Sequence, residues 1–412
     1  MTAPAPAGQP AAVPQGVTVT GLASVHWRSG DGNPLGQIQH AHDDWYANTV
    51  RLQVGVPLLR GKTNATAQWH GGGPVPALTE YLATPGNGMT GQLNGNHYNT
   101  DFLGYLDQAV GLAQQLGLTV VICAQHEGLD NTAMPAGNDV AFWKIIHDHY
   151  GSGVICDLFN EPEPGAVYGD TWLGWQGGGP GSDGVSYSGF ETVVNELREY
   201  GLTGTFWVEG PAHSATLAGV AGSSGNFQLS DPLDNIVYAI HHPQGARTPA
   251  NWTTQFGYLA GLGIPVVVGE WTNWATKNAE CWPDAASTVP AFLDYVTGLG
   301  TCGLIVWALL PRVLVVDQKE WVPTQILANY ACDGSVTGQG AGALIQAQFA
   351  AWAGQPAPAP PGPASPAPSP ASPATPASPA TPASPATPAS PAPPASPAAP
   401  GGPAAPGGPL PG

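Results

Sequence analysis

Two glutamates in this chain stand where they could act together on one bond. Glu161 follows Asn160 and precedes Pro162 at the end of the apolar run Gly153 to Phe159, and Glu270 ends the run Ile264 to Glu270. Cleavage of a glycosidic bond takes two flanking carboxyl groups, one protonated to help the leaving oxygen depart and one ionised to attack or stabilise the anomeric carbon. Other strand-like runs carry polar residues at or near their ends: Arg51, Gln125-His126-Glu127, His241-His242 and Trp307. Arg51 suits a positive partner that keeps one carboxylate ionised while neutral surroundings let the other hold its proton, or a structural salt bridge. Asn160 can hydrogen-bond a sugar hydroxyl or serve as a strand-end turn. His126 and His241 can orient carboxyls or sugar hydroxyls, or be structural. Glu127, Glu163 and Glu209 are rival carboxylates, and Glu209, followed by Gly210-Pro211, could instead cap a helix. His241 and His242 do not read as a metal pair: adjacent strand residues point to opposite sides, and neither His-x-His nor His-Glu-x-x-His occurs. No metal or cofactor is expected.

The elements that must position these residues follow from an alternation of short β-branched runs with amphipathic segments, the signature of βα units and a parallel sheet. Eight runs are found: Val17 to Val25, Ala47 to Val54, Leu118 to Ala124, Gly153 to Phe159, Thr203 to Glu209, Asn235 to His241, Ile264 to Glu270 and Cys302 to Ala308. The clearest helices between and after them are Asn99 to Leu116, Val140 to Tyr150, Phe190 to Tyr200, Pro290 to Leu299 and Ala341 to Trp352. Eight such strands close into an α/β fold, the (β/α)8 barrel, whose functional side chains sit at the C-terminal strand ends. Strands four and seven then face each other, which brings Glu161 and Glu270 to one cleft. An open doubly wound sheet would call for a Gly-rich phosphate loop after its first strand, and Val25-His26-Trp27-Arg28 is not one.

After Gly354 the chain becomes Pro, Ala, Ser and Thr, including three Ala-Ser-Pro-Ala-Thr-Pro repeats over Ala371 to Pro388. Such a segment builds no core and favours extended polyproline II. Three parts are therefore expected: a flexible segment at 1–16, a barrel at 17–354 and a disordered Pro-rich tail at 355–412, which reads as an O-glycosylated stalk or a solubilising tail. Lys+Arg number 10 against Asp+Glu 28, too few cations for a phosphate-binding face, so nucleic acid is excluded as a partner while a neutral polysaccharide is allowed. The 14 Trp exceed what a core of this size requires if those in Gly-rich stretches are exposed, and an exposed indole can stack on the C–H face of a sugar. Trp172 and Trp175, in the loop after the fourth strand, are expected to form such a platform, and Trp27, Trp45, Trp271 and Trp274 are weaker candidates. Of five Cys, Cys123, Cys156 and Cys302 lie in strand-like runs and read as buried thiols, whereas Cys281 and Cys332 lie in loops and could pair. No apolar run is long enough to span a membrane, and Met1 to Gln15 has neither basic segment nor apolar stretch, so no signal peptide is visible. A mature or recombinant start would reconcile this with secretion, and a cytosolic protein would look the same.

Leu158-Phe159-Asn160-Glu161-Pro162 and Val267-Val268-Gly269-Glu270-Trp271, supported by Val50-Arg51-Leu52, Tyr238-Ala239-Ile240-His241 and Val306-Trp307, resemble the motifs of glycoside hydrolase family five, the cellulase family of retaining barrel enzymes. The resemblance spans about residues 17 to 354. It implies double displacement on a β-linked polysaccharide, with Glu270 as nucleophile and Glu161 as acid/base. It further implies that Arg51, His126, Asn160, His241 and Trp307 surround the sugar. An endo-β-1,4-glucanase is expected, secreted and monomeric, with β-mannanase the nearest alternative and a catalytically weak glycan-binding barrel the alternative of another class. Two departures are visible. The family's His-x-Tyr at strand six is replaced by His241-His242-Pro243, so that either another residue such as His242 substitutes for the Tyr that touches the nucleophile or the alignment slips by one, and Gln125-His126-Glu127 differs from the usual pattern after strand three.

Overall fold

The computed structural model describes residues 13–61, 75–169, 171–222, 225–241, 247–275, 281–356 and 358. Eight strands run parallel and close on themselves: β1 Gln15–Val19, β2 Thr49–Gly55, β3 Thr119–Gln125, β4 Ile155–Asp157, β5 Phe206–Glu209, β6 Ile236–His241, β7 Val266–Trp271 and β8 Gly303–Val306. Each pairs with its neighbours in sequence, and β8 returns to β1 through Gln15 opposite Leu304 and Val17 opposite Val306. Each of the eight predicted runs overlaps a barrel strand. The first is offset most, because it starts at Gln15 and the chain turns at Gly21, well short of Val25.

The strands form because both faces are buried, which selects near-continuous Val, Ile and Leu. One face of each strand meets the outer helices and the other fills the barrel, where Val121, Trp207, Ala239, Val267 and Ile305 pack together with Ile155 and Val237. The five predicted helices appear as Thr100–Gln115, Gly137–Tyr150, Gly189–Tyr200, Ala285–Leu299 and Gly342–Trp352. Asn99 starts the first by accepting from the amides of Asp101 and Phe102, both at 3.1 Å. Pro34–Asp43 covers the β1–β2 crossing. Among the described residues, the β5–β6 crossing carries only the four-residue turn Pro211–Ser214.

Cys281 and Cys332 form a disulfide, and Cys123, Cys156 and Cys302 are buried free thiols. Among the described residues no helix is long and apolar enough to cross a membrane. Apart from its first few residues, the expected tail at 355–412 lies outside the described residues, as does most of the expected flexible segment at 1–16, whose last two residues, Gln15 and Gly16, belong instead to the buried strand β1.

Candidate active site

Strand periodicity decides which side chains enter the barrel. Side chains two apart share a face, so Cys123 follows Val121 inward, Asp157 follows Ile155, Glu209 follows Trp207, and His241 follows Val237 and Ala239. Glu270 breaks this rule: three residues beyond the inward Val267, an unbroken strand would turn it outward. The register supplies the missing residue. Val268 pairs with Ile240 but Glu270 pairs with His241, so Gly269 is an extra residue on β7, a bulge that turns Glu270 to the inner face. A Cβ on Gly269 would stand 3.2 Å from Ala239 Cβ and 3.3 Å from His241 Nε2, which is why a residue without one sits there.

Arg51, fully buried on β2, is the centre of the cluster. Nε donates to Asp157 Oδ2 at 2.7 Å and Nη1 to Glu270 Oε2 at 2.7 Å. Nη2 has two protons for three acceptors, Glu209 Oε1 at 2.6 Å, Asn160 Oδ1 at 2.8 Å and Cys123 Sγ at 3.0 Å, so the sulfur takes the weakest share. An unpaired guanidinium here would be prohibitive, and the three carboxylates are what make its burial tolerable. Gln53 Nε2 adds a second donor to Glu270 Oε2 at 3.1 Å.

Glu161 sits at the rim with a side chain 15% exposed and a left-handed backbone, φ 50°. Its N–H donates to Glu209 Oε2 at 2.6 Å. His241 Nδ1 lies 3.2 Å from Glu161 Oε1, and its Nε2 lies 3.2 Å from Glu209 Oε1, in poor alignment for a hydrogen bond, so that second attraction is one of charge. Single donor atoms of Glu161, His241 and Glu270 lie within 4.8 Å of one another. Cys123, Asp157 and Glu209 form a similar trio. Either set could ligate a cation by atom type, but the guanidinium of Arg51 already bonds Cys123, Asp157, Glu209 and Glu270, and His241 lies between Glu161 and Glu209.

Burial drives the protonation pattern and the neighbouring charges divide it. Burial, reinforced by the Glu209 charge and only partly offset by Arg51, pushes the Asp157 carboxyl up to about 8. Burial raises Glu270 to about 7, the charges of His241 and Arg51 pulling down and those of Glu161 and Glu209 pushing up. For Glu209 burial also pushes upward, but His241 and Arg51 outweigh it and bring the carboxyl down to about 2. His241, which burial alone would make less basic, is raised to about 10 by Glu209, Glu161 and Glu270. The carboxylate that Arg51 helps to keep ionised is thus first of all Glu209, while Glu270 shares the same cation and retains a high proton affinity.

The structure brings Arg51, Asn160, Glu161, His241 and Glu270 together, and it adds Asp157, Glu209, Gln53 and Cys123. Glu209, expected as a rival acid or a helix cap, is fully buried with oxygens engaged by Arg51, the Glu161 amide and Ser214 Oγ at 2.5 Å, and so holds these groups in place. A sequence signal existed for Asp157 and Glu209: each is a charge inside an apolar run, on the parity of the barrel interior.

Trp307 is half-buried beside Trp274, their rings 4.7 Å apart, and these two indoles remain partly exposed near the ends of β8 and β7. Three other expectations need correction. His126 is 1% exposed, its Nδ1 2.7 Å from Asp130 and its Nε2 2.6 Å from Asp139, so neither ring nitrogen is left to meet a sugar. Trp175 is fully buried, donates to the Glu209 carbonyl at 2.8 Å and packs on Phe190, so the expected platform of Trp172 and Trp175 does not form. Both lie on the inward face of the helix Thr171–Gly177, three residues apart, and half-buried Trp172 stacks on Phe227 at 5.6 Å. Trp27, Trp45 and Trp271 are likewise core residues. Of the rival carboxylates, Glu127 is exposed and Glu163 pairs with His213. His242 and Pro243 lie outside the described residues.

Among solved structures, an endo-beta-1,4-glucanase from Xanthomonas axonopodis pv. citri is similar at 14% identity, with 82% of this chain and 98% of that chain covered and a TM-score of 0.47. Cel5A (EG2) from Hypocrea jecorina (Trichoderma reesei) is similar at 15% identity, 72% and 89% coverage and a TM-score of 0.48. A Thermomonospora fusca beta-mannanase in complex with mannotriose is similar at 16% identity, 72% and 78% coverage and a TM-score of 0.44. No curated protein matches the chain. The family model described as cellulase (glycosyl hydrolase family 5) matches residues 10–312, which contain every barrel strand and the whole charge cluster, and the chain therefore belongs to that family and is a glycoside hydrolase.

Proposed function

We propose that the chain is a retaining endo-β-1,4-glucanase in which Glu270 is the nucleophile and Glu161 the acid/base. The observation that carries the retaining reading is the approach of a Glu161 carboxyl oxygen and a Glu270 carboxyl oxygen to within 4.8 Å. Retaining pairs stand about 5 to 5.5 Å apart, whereas inverting pairs leave about 6.5 to 9.5 Å for a water molecule. In the first step Glu270 attacks the anomeric carbon, the glycosidic C–O bond breaks, and the Glu161 proton goes to the leaving oxygen. In the second, Glu161 takes a proton from water, the water oxygen bonds the anomeric carbon, and Glu270 departs as carboxylate. Arg51 and Gln53 hold Glu270 through the same oxygen, Oε2. His241, cationic at neutral pH, stands 3.2 Å from Glu161 and stabilises the carboxylate that appears once the proton has left. Asn160 and Trp307 are assigned to the sugar at the cleavage point.

The β-glucan assignment and the endo mode rest on the family. Secretion is supported by the Cys281–Cys332 disulfide, since such bonds persist in oxidising compartments. We assign the barrel to 15–354, its first strand starting at Gln15, and read 355–412 as an extracellular spacer. Hydrolysis of carboxymethylcellulose, mannan and xyloglucan side by side, with product stereochemistry by proton NMR, tests the reading. Preferred cleavage of the cellulose derivative with retention is expected; inversion refutes the mechanism, and preference for mannan replaces the substrate. Glu270→Ala is expected to lose several orders of magnitude in turnover and to recover part of it with azide or formate, whereas full activity in that variant ends the assignment.

A further inference from the structure

Beyond the paired glutamates, a second charged couple stands at the same rim. His213 Nε2 lies 2.9 Å from Glu163 Oε2, with both side chains partly exposed. His213 belongs to the turn Pro211–Ser214 after β5, and Ala212, His213 and Ser214 have φ of 58°, 55° and 56°. Three consecutive residues bearing a Cβ in the left-handed region are disfavoured and persist only where surrounding contacts impose them. Here two contacts do so: Ser214 Oγ donates to Glu209 Oε2 at 2.5 Å, and His213 reaches Glu163. Glu209 Oε2 also accepts the Glu161 amide, and Glu163 is two residues from Glu161, so the couple is tied to Glu161 from both sides.

We propose that His213 and Glu163 act as a charge-compensating couple that positions Glu161 and sets the pH at which it holds its proton. This rests on the reading of Glu161 as acid/base. The groups facing Glu161 are His241 from β6, Glu270 from β7 and Glu209 from β5, with Arg51 of β2 behind them; those acting on His213 are Glu163, Glu161 and Glu127. The hydrogen bond to Glu163 is the largest influence on His213 and raises its basicity; burial opposes it, and the charges of Glu163, Glu161 and Glu127 add to it. While His213 is cationic, it cancels the field of Glu163 at Glu161. Without it, the Glu163 anion is uncompensated and Glu161 keeps its proton to higher pH. Without Glu163, His213 loses its main support as a cation, and only the charge it retains favours the Glu161 carboxylate, so the proton leaves at slightly lower pH.

The test is kcat/KM against pH on an unactivated cello-oligosaccharide for the full chain, His213→Asn, Glu163→Gln and the double variant, each with a thermal melt. Asn tolerates the left-handed backbone at this position, and Gln preserves the volume of Glu163, so the turn is retained. The alkaline limb is expected to move up by about half a unit to one unit in His213→Asn, as for one uncompensated neighbouring charge at a partly exposed site, and down by a smaller amount in Glu163→Gln, where His213 also loses part of its charge. The double variant is expected to return towards the parent. A packing role would lower the rate or the melting temperature without opposite displacements. Limbs that move the same way, or not at all, overturn the proposal. Glu161→Gln separates this from the underlying reading: if that variant keeps the parent's alkaline limb, Glu161 is not the acid, whereas loss of the limb together with unmoved limbs in the charge variants refutes the couple alone.

Discussion

His126 offers a direct check on the charge logic of the barrel rim, because the structure turns it from a sugar ligand into a buried imidazolium. It joins two carboxylates: Asp130 four residues on, and Asp139, which also accepts the Ala136 amide at 2.9 Å at the start of the helix Gly137–Tyr150. Its ring stacks on Phe159 at 5.0 Å, so the ion pair links β3, the end of β4 and a helix terminus. Burial alone would make the imidazole less basic, but the charges and hydrogen bonds of Asp139 and Asp130 outweigh it and raise the group from 6.5 to about 10. At about 1.4 kcal/mol per pH unit, that rise corresponds to on the order of 5 kcal/mol of folding stability. The folded group binds its proton more tightly than the unfolded one, so this contribution is fully present below pH 6.5 and is lost as pH climbs through about 10. Urea unfolding of the parent and His126→Gln at intervals from pH 6 to 10.5 isolates it, because the similar contribution of His241 is common to both chains and cancels in the difference. The stability gap is expected to narrow progressively across that window, and the His126 ring resonances are expected to show no titration near pH 6.5 by NMR. A gap independent of pH, or a ring that titrates near 6.5, refutes the reasoning.

Three other outcomes follow from particular contacts. Gly269→Ala places a methyl group 3.3 Å from His241 Nε2 and is expected to lower kcat about tenfold to a hundredfold with a melting temperature within a few degrees of the parent, measured on soluble β-glucan and by calorimetry, since a displacement of tenths of an ångström matters more to catalysis than to packing. Trp175→Phe is expected to lower stability by about 1 to 3 kcal/mol, through loss of the buried bond to the Glu209 carbonyl and of ring volume, whereas Trp307→Ala is expected chiefly to raise KM; equal effects of both on KM would count against the separation of core from cleft. Reduction of Cys281–Cys332, which spans 51 residues, is expected to cost about 4 kcal/mol by the chain-entropy estimate, read as a lower urea midpoint in dithiothreitol that a Cys281→Ser/Cys332→Ser chain does not show.

The barrel was legible because its signal is spread over the whole chain: eight apolar runs, each buried on both faces, are hard to mistake once a helix or loop separates every pair. That Glu161 and Glu270 share one cleft was legible for the same reason, since both are charges at the ends of such runs. What escaped reading is local or mutual. His126 and His241 both sit at strand ends, yet two aspartates within thirteen residues close around one, and side chains from strands far apart in sequence surround the other. Trp172 and Trp175 lie in a Gly-rich stretch that looks like an open loop, but seven of its residues form a helix, and helical spacing turns both indoles towards the protein. The inward turn of Glu270 was invisible in a different sense, since strand parity read from Val267 would have sent it outward and only pairing with β6 reveals the extra residue.

That extra residue bears on how a buried cluster can leave a carboxyl group available for chemistry. Regular alternation alone delivers Arg51, Cys123, Asp157, Glu209 and His241 to the interior, where a neutral outcome could leave every group locked in ion pairs. The distribution instead gives Glu209 the fixed negative charge, held between both cations and two further donors, and leaves Asp157 with its proton retained to about 8. Glu270, raised by the bulge to the rim, shares Arg51 without monopolising it and faces Glu161 across less than 5 Å, so its protonation can respond to the second carboxyl group. In the proposed double displacement the two carboxyls alternate between neutral and ionised forms, and Glu209, touching Arg51, His241 and the Glu161 backbone together, is the neighbouring anion that does not alternate.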